Sequence, residues 1–358
     1  MSSRTNLDRL GWDRHFEDSV RALEIEGIEG IDVGRVSFLD GSRYTVITGE
    51  GEVRTRASSK VLMAGGPAVG DWVVVKLSGT SNIIISVLPR KGCISRKVPG
   101  KEVHEQVFAA NVDIIFVMMG LDNDFNLRRL ERYLVMVSAS GSRPVILLNK
   151  SDDAKDLPAK LQQVHEVSGE VPVHHISAMN GDGMDVLDRY LRKGVTVALI
   201  GSSGVGKSTL MNRLLGEEKM RTGELRKSCG KGSHVTTSRE LMVLPEGGIL
   251  IDNPGIRELQ LWGDETTLEE AFKDILGLSR KCRFKDCQHL SEPGCAVKRA
   301  LEEGEIERSR FDNYIKMRRE LRFLALKTDK GARTEEKARW RPLTKDVKHY
   351  QRFKKEGR

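Results

Sequence analysis

The stretch Gly201-Ser202-Ser203-Gly204-Val205-Gly206-Lys207-Ser208 decides the fold of this chain. It satisfies the pattern G-x-x-x-x-G-K-[ST] without a mismatch, follows the apolar run Val195 to Ile200 and opens a helical pattern. Such glycines let backbone N–H groups turn inward around phosphate oxygens at a helix N-terminus, where the helix dipole favours negative charge. We therefore predict a phosphate loop, continued by Thr209, in which Lys207 reaches the β- and γ-phosphates and Ser208 ligates Mg²⁺.

Two motifs upstream of this loop predict which base is bound. Asn149-Lys150-Ser151-Asp152 follows the apolar run Val145 to Leu148 and fits the N-K-x-D pattern, and Ser177-Ala178-Met179 follows the next predicted strand. A carboxylate at Asp152 can accept hydrogen bonds from the N1–H and the exocyclic amine of guanine, two donors that adenine lacks at those places. We predict GTP and GDP as ligands and disfavour a P-loop kinase. The guanine-side residues would be Asn149, Lys150, Asp152, Ser177 and Ala178.

A third motif predicts the metal side of the site. Asp252-Asn253-Pro254-Gly255 fits D-x-x-G and follows the apolar run Ile249 to Ile251. Asp252 would hold Mg²⁺ through water, and the Gly255 amide would sense the γ-phosphate. Between the phosphate loop and this motif lies the polar stretch from Glu217 to Ser238. We expect Thr236 or Thr237 in that stretch to ligate Mg²⁺ only in the triphosphate state; an ordinary surface loop is the alternative.

The order of these motifs indicates a circularly permuted GTPase domain. A conventional domain presents the phosphate loop and D-x-x-G before N-K-x-D, whereas here N-K-S-D and S-A-M come first. A sheet tolerates this order because contacts, not connectivity, build the site and domain termini usually lie close together. Ile256 follows D-x-x-G and cannot orient water, so we expect slow intrinsic hydrolysis. His234 is the candidate for handling the water, with a structural histidine as the alternative.

A cysteine cluster predicts a metal site near the C-terminus. Cys282-x₄-Cys287-x-His289-x₅-Cys295 offers three thiolates and one imidazole, which close a tetrahedral shell and leave no open position. We therefore predict one structural Zn²⁺ rather than a catalytic one. Cys93 and Cys229 lie far away in sequence, and we assign them no role.

The remaining sequence predicts the domain organisation. Residues 1–30 read as an N-terminal extension and 91–106 as a polar linker. Residues 31–90 contain five short strands, with Asp40-Gly41 as a hairpin signal, and predict a β-barrel of the OB-fold kind, although an SH3-like barrel would give a similar pattern. Alternating strands and helices over 107–265 predict the central, permuted α/β P-loop GTPase domain. Residues 266–358 predict a mostly helical zinc-binding domain with a basic tail.

Composition constrains the partners. The 358-residue chain has a formal net charge of +8, yet from Lys316 to the end 16 Lys and Arg face 6 Asp and Glu, so the basicity belongs to the tail. A phosphate-rich partner and an unpartnered, solvated tail both fit this charge. Apolar runs such as Ile114 to Met119 are too short to span a bilayer, and Met1-Ser2-Ser3-Arg4 lacks the apolar core of a signal peptide. We expect a cytoplasmic protein with reduced thiols and no membrane partner.

Together these features resemble the ribosome small subunit-dependent GTPases, the RsgA or YjeQ family. The resemblance rests on Val69-Gly70-Asp71, on Ala109-Ala110-Asn111-Val112-Asp113, on the permuted motif order and on the cysteine spacing. It implies an OB-fold, a permuted GTPase domain and a zinc domain, and we expect a monomer. It also implies binding to the small (30S) ribosomal subunit and its rRNA, a role late in subunit maturation, and GTP hydrolysis stimulated by the subunit.

The resemblance also bears on catalysis. The switch histidine of the family falls on His234 and is thought to place the hydrolytic water, beside the catalytic Lys207. Two positions depart from the family pattern: Val235-Thr236-Thr237 replaces a threonine triplet, and Asn253 replaces Thr or Ser in D-x-P-G. Which threonine ligates Mg²⁺ therefore stays open. An RNA-binding assembly factor that uses GTP only as a conformational sensor remains the alternative function.

Overall fold

The computed structural model describes residues 2–23, 29–79, 81–98, 104–216, 239–252, 267–328 and 334. The chain forms two compact units, one of Met1–Lys97 with Glu105–Gln260 and the other of Val98–His104 with Leu261–Arg358. No helix within the described ranges is both long enough and apolar enough to cross a bilayer. His234, Thr236, Thr237 and Gly255, to which the sequence assigns roles, lie outside these ranges.

Two short helices precede the barrel, in the stretch predicted as an extension. They are α1 (Ser2–Arg9) and α2 (Arg14–Arg21), and the Asp13 carboxylate caps the second by accepting from the His15 N–H. Leu10 and Phe16 are buried in one apolar cluster with Trp72 of the barrel. Trp12 meets the Trp72 ring edge-on, with the ring centroids 4.7 Å apart. The N-terminal helices thus cover part of the barrel's outer surface.

Five strands form the predicted barrel. They are β1 (Ile31–Asp40), β2 (Arg43–Thr48), β3 (Gly51–Ala57), β4 (Trp72–Lys76) and β5 (Asn82–Val87), with the short helix α3 (Ser59–Met63) after β3. The strand order is β1-β2-β3-β5-β4, and β4 pairs again with β1, so the sheet closes on itself. Alternate side chains fill the interior, among them Val36, Val46, Val73, Val75 and Ile84. The closed five-stranded barrel confirms the predicted fold class.

The stretch 91–106, which the sequence predicts as a linker, contains regular structure. Strand β6 (Cys93–Val98) pairs with β7 (His104–Ala110) in a separate two-stranded sheet. Ile94 is buried in the main core, and the Cys93 N–H donates to the Ser140 carbonyl at 3.1 Å. The polar and basic composition of 91–106 gave no strand signal, because these strands are held by contacts with residues distant in sequence.

The central domain is the predicted α/β sheet. Its elements are β8 (Ile114–Gly120), α4 (Leu127–Ser138), β9 (Arg143–Asn149), α5 (Leu157–Ser168), β10 (Val173–His175), β11 (Thr196–Gly201), α6 (Lys207–Leu215), β12 (Arg239–Val243) and β13 (Ile249–Asp252). The strand order is β10-β9-β8-β11-β13-β12, and every pairing is parallel except β12 with β13. β8 is buried on both faces, as expected for a central parallel strand between helix layers.

The barrel and the central domain share one sheet and one buried arginine. β12 also pairs with β1, so the two sheets run together. Arg35, 1% exposed, donates through Nε to the Gly70 carbonyl at 3.0 Å and through its terminal nitrogens to the Leu10 and Asn111 carbonyls and the Thr196 hydroxyl. Burial lowers the pKa of Arg35 to about 10, which still leaves the guanidinium charged at neutral pH. One side chain therefore joins the N-terminal helices, the barrel and the GTPase sheet.

The second unit is helical, as predicted. Its described helices are α7 (Thr267–Ala271), α8 (Lys273–Ser279), α9 (Ala296–Glu302) and α10 (Arg308–Thr328). Phe272, Val297 and Leu321 are buried. The Arg310 guanidinium pairs with both carboxylate oxygens of Asp274, at 2.7 and 2.8 Å, and holds the pKa of that carboxyl below its usual range against the effect of burial. The metal-site sequence lies between α8 and α9.

Candidate nucleotide site and candidate metal centre

Four motif-bearing strands end at one edge of the central sheet. Gly120 at the end of β8 pairs with Asn149 at the end of β9, and Gly201 at the end of β11 pairs with Met118 of β8. β13, which ends at Asp252, is the other neighbour of β11. Because ligands of open parallel sheets bind at the carboxyl ends of the strands, this edge is the place for a nucleotide.

The phosphate loop connects β11 with α6 as predicted. Gly206 precedes the first residue of α6 with a φ of +103°, a left-handed value that favours glycine. A Cβ on Gly201 would lie 2.5 Å from the Met118 carbonyl oxygen, so the close approach of β8 requires glycine there. The Lys207 ammonium donates to the Gly201 carbonyl at 2.7 Å and to the Ser202 carbonyl at 2.5 Å. The lysine thus lies along its own loop, within reach of the space that phosphates fill.

One buried amide joins three motifs that are far apart in sequence. The Asn149 side chain is 3% exposed. Its Nδ2 donates to the Val205 carbonyl of the phosphate loop at 2.7 Å, and its Oδ1 accepts from the Ala178 N–H at 2.9 Å. Asn149 therefore fixes the guanine-side loops against the phosphate loop, which is the geometry that a nucleotide spanning both requires.

On the predicted guanine side, the acid of the N-K-S-D motif is exposed. Lys150 has a left-handed backbone with a φ of +65°, and the 3₁₀ turn Ser151–Asp153 follows it. The Asp152 carboxylate is exposed and makes no hydrogen bond or ion pair with any residue in the described ranges. Ser177 is buried, and its hydroxyl accepts from the Asn180 N–H at 3.1 Å. Arg213 of α6 donates to the Ala178 carbonyl at 2.9 Å and so ties the serine-alanine loop to the phosphate-loop helix.

Two aspartates at this edge were missed by the sequence analysis. Both lie in the loop after β8. Asp124 accepts from the Ser202 hydroxyl of the phosphate loop at 2.6 Å, from the Gly120 N–H at 3.2 Å and from the Arg129 guanidinium at 2.5 Å. Asp122 accepts from the Lys150 ammonium at 2.7 Å. Burial would raise the pKa of Asp122, but the Lys150 hydrogen bond and charge outweigh that effect and lower it. An Asp-x-Asp sequence directly after a buried parallel strand was the available signal.

Replacing Asp124 with alanine is expected to weaken GTP binding about tenfold. The change removes the acceptor of the Ser202 hydroxyl and of two further donors, and such an unsatisfied group costs roughly 1–3 kcal/mol. GTP affinity measured by titration calorimetry checks this expectation. Asp188→Ala, an exposed acid outside the site, is the matched control. Equal GTP affinity in Asp124→Ala and the control would show that Asp124 does not position the phosphate loop.

The described residues fit a nucleotide-bound Mg²⁺. Ser208 and Thr209 are half-buried on the first turn of α6, and Asp252 is half-buried at the end of β13. Hydroxyl and carboxylate oxygens are the hard ligands that Mg²⁺ prefers, together with phosphate oxygens and waters. Ser203 and Gly204, at the tip of the loop, are exposed, so a ligand that arrives from solvent can reach them.

The four predicted zinc ligands converge in the second unit. The Sγ atoms of Cys282, Cys287 and Cys295 and a ring nitrogen of His289 all lie within 4.8 Å of one another. The His289 Nδ1 lies 3.7 Å from the Cys282 Sγ and 3.4 Å from the Cys295 Sγ, and the latter two sulfurs are 3.9 Å apart. A tetrahedral zinc with its usual bond lengths places sulfurs about 3.8 Å apart and nitrogen about 3.5 Å from sulfur. The cluster is compatible with one zinc ion.

Three of the four ligand side chains are buried. Cys287, His289 and Cys295 are buried, and Cys282 is half-buried. Burial raises the pKa of the Cys287 thiol to about 11. Burial, with the Arg318 charge, lowers the pKa of His289, so the imidazole is neutral as a metal ligand must be. Around the ligands, the Glu292 carboxylate accepts backbone N–H groups from Gln288, Leu290 and Ser291, which braces the turn that carries His289.

The amino-acid sequence is similar to those of known proteins over nearly its full length. A sequence model of the family described as RsgA GTPase matches residues 87–262. The Small ribosomal subunit biogenesis GTPase RsgA of Methanosarcina acetivorans is 42% identical over 353 residues, covering 97% of this chain and 94% of that protein. The protein of the same name from Opitutus terrae is 40% identical, covering 98% of this chain and 99% of that protein.

Two solved structures have a similar fold. The crystal structure of YjeQ from Thermotoga maritima superposes with a TM-score of 0.59 at 29% identity and covers 81% of this chain and 98% of that one. YloQ, described as a circularly permuted GTPase, superposes with a TM-score of 0.57 at 23% identity and covers 83% of this chain and 96% of that one. At 23% identity, the similarity to YloQ supports the fold alone.

Proposed function

The chain belongs to the RsgA GTPase family, and from that premise we propose that it hydrolyses GTP while acting in the biogenesis of the small ribosomal subunit. The observation that carries the proposal is the near full-length similarity to proteins named for this role, which extends over the barrel, the GTPase domain and the metal cluster alike. The chain binds the small subunit through its rRNA, works late in subunit maturation, and hydrolyses GTP faster when bound. It is a cytoplasmic monomer.

Different residues bind the base, the phosphates and the metal ion of the nucleotide in this proposal. Asp152 accepts the guanine N1–H and amine, and Asn149 holds the loops of both motifs in register. The backbone N–H groups of Gly201 to Ser208 surround the phosphates, and Lys207 turns from its own carbonyls to the β- and γ-phosphates. Ser208, Asp252 through water, and Thr236 or Thr237 would hold Mg²⁺, which would supply charge neutralisation at the phosphates. Gly255 senses the γ-phosphate.

Cys282, Cys287, His289 and Cys295 hold one structural Zn²⁺ in the same proposal. Three thiolates and an imidazole fill all four tetrahedral positions, which leaves no site for a substrate. Zn²⁺ bound by these residues would stabilise the second unit rather than take part in hydrolysis. A short piece of chain separates Asp252, in the proposed nucleotide site, from Leu261, the first residue of the C-terminal part of the second unit. The nucleotide state can therefore act on the second unit through that connection.

His234→Ala is expected to reduce GTP hydrolysis about 100-fold or more while GTP affinity is unchanged. Proton handling or orientation of a nucleophile by a positioned side chain contributes roughly 10²–10⁴-fold to a rate, and Ile256 offers no polar group for the task. Single-turnover phosphate release and a binding titration separate the two quantities. His165→Ala, an exposed histidine on α5, is the matched control. Unchanged turnover in His234→Ala would transfer the role to another group.

The experiment that tests the function is phosphate release from GTP and from ATP, with and without purified small ribosomal subunits, at two salt concentrations. We expect release from GTP only, stimulated by the subunits, with stimulation that falls as salt rises because cations of the protein displace counterions of the RNA. Stimulation by large subunits to the same extent, or none by small subunits, would overturn the proposed partner. Binding to small subunits with equal affinity in GDP and in a non-hydrolysable GTP analogue would overturn the nucleotide-controlled release.

A further inference from the structure

The loop between the first two zinc ligands extends away from the metal cluster. The ligand atoms of Cys282 and Cys287 lie within 4.8 Å of each other, so the chain between them is closed at its base. The four residues in between, Arg283-Phe284-Lys285-Asp286, are all exposed. With Arg280 and Lys281 directly before Cys282, they form a seven-residue segment, 280–286, which we call the knuckle loop.

The knuckle loop is a dense group of cations. Arg280, Lys281, Arg283 and Lys285 are exposed, and Asp286 is the one acid among them. None of the four forms an ion pair with a carboxylate in the described part of the chain. Like charges this close repel one another, so they do not stabilise the folded chain by themselves. Such a group fits a polyanion whose charges are regularly spaced.

An aromatic ring lies in the middle of these cations. Phe284 is 40% exposed, and the Arg283 guanidinium lies 5.4 Å from the centroid of its ring. Leu290, three positions beyond the buried Cys287, is 55% exposed. Large apolar side chains in water among cations are the combination by which proteins bind unpaired nucleotides: the ring stacks on a base while the cations contact phosphates.

The loop is also held in shape before any partner arrives. The Cys287 N–H donates to the Phe284 carbonyl at 3.3 Å, and the Arg283 N–H donates to the Gly294 carbonyl at 3.2 Å. On the Leu290 side, the Glu292 carboxylate accepts from the Leu290 N–H at 2.9 Å. Preorganised side chains lose less conformational entropy on binding, which favours affinity.

We infer that the knuckle loop binds an unpaired stretch of RNA, with Phe284 stacking on a base and Arg280, Lys281, Arg283 and Lys285 contacting the phosphates. The inference rests on the proposed function, in which the partner is ribosomal RNA, and it adds the kind of RNA that this surface reads. Paired RNA is a poor fit because its bases are stacked on one another and present no free face to a phenyl ring. An acidic protein would match the charge but gives no reason for the exposed ring.

The test compares full-length, zinc-loaded variants for binding to a labelled short single-stranded RNA and to a hairpin duplex of the same composition. Phe284→Ala is expected to lose about fivefold or more in affinity for the single strand, since one stacked base is typically worth at least that factor, and to change duplex binding little. Phe284→Trp should restore the affinity, and its added tryptophan emission should be quenched by the single strand. A Phe284→Ala variant that binds the single strand as well as wild type would overturn the inference.

A second pair of variants tests the cations. The double variant Arg280→Gln, Lys285→Gln is expected to flatten the dependence of log affinity on log salt by roughly 0.7 for each phosphate that is no longer neutralised. Lys273→Gln, an exposed cation on α8, should leave the slope unchanged. If Phe284→Ala lowered the affinity for the single strand and for the duplex equally, the ring would not stack on a base and the inference would be overturned. Zinc content and intrinsic GTP hydrolysis of each variant verify folding, and stimulation of wild-type hydrolysis by small subunits tests the proposed function separately.

Discussion

Replacing Lys207 with alanine is expected to lower the rate of GTP hydrolysis by about 10²–10³-fold, the decrease seen when one preorganised donor to a developing charge is removed. The ammonium lies 2.7 Å from the Gly201 carbonyl oxygen and 2.5 Å from the Ser202 carbonyl oxygen, both in the predicted phosphate loop. Positioning and electrostatic stabilisation supply nearly all of the catalysis in phosphoryl transfer. Phosphate release at saturating GTP, measured in a single turnover, gives the chemical step without the effect on binding.

Lys60→Ala, which removes an exposed lysine on α3, is the matched control and should hydrolyse GTP at the wild-type rate. The same Lys207→Ala variant separates the two functions considered for the chain. If it restores ribosome assembly in cells that lack the wild-type protein, GTP serves as a conformational signal and its hydrolysis is dispensable. Failure in those cells, with subunit binding retained, supports hydrolysis as the step that releases the protein.

The nucleotide motifs were readable from the sequence because each is a local spacing that places backbone and side chains on one turn. Gly201 to Ser208 needs only a preceding strand and a following helix, and β11 and α6 supply them. The predicted zinc ligands could be found for the same reason, since all four lie close together in sequence between Cys282 and Cys295, and their ligand atoms converge in the structure. The permuted motif order did not prevent this prediction. The pairing of the strands, and not their order along the chain, brings Asn149 to Val205.

The interactions that the sequence analysis missed join residues with no fixed spacing. The Ser202 hydroxyl and the Asp124 carboxylate lie 2.6 Å apart, in loops that follow two parallel strands. Neither local sequence indicates that the other residue is its partner. Strand β12 is short, carries Arg239 and Glu240 at its start, and owes its place to pairing with β1 on one side and β13 on the other. Arg35 reads as an ordinary polar strand residue, yet it lies at the junction of three parts of the first unit. Such pairing between distant residues can be recognised only in the folded structure.

Cys287→Ser is expected to abolish stoichiometric zinc binding and the cooperative thermal unfolding of the second unit. Cys287 is buried, and its Sγ is one of four ligand atoms within 4.8 Å, so serine leaves the metal shell one thiolate short. Structural zinc contributes roughly 10–16 kcal/mol of apparent binding free energy, which in such small domains is folding free energy. Metal analysis of the purified chain and differential scanning calorimetry measure the two effects.

Cys93→Ser, in β6 outside the metal cluster, is the matched control and should retain one zinc per chain and both thermal transitions. The candidate nucleotide site belongs to the other compact unit, so Cys287→Ser should keep the GTP affinity of the wild type while a chelator no longer changes its calorimetric trace. If Cys287→Ser still bound one equivalent of zinc with unchanged thermal stability, the assignment of three cysteines and one histidine as zinc ligands would be wrong. Loss of GTP affinity together with zinc would instead mean that the two units depend on each other for folding, because no ligand of the metal contributes to the phosphate loop.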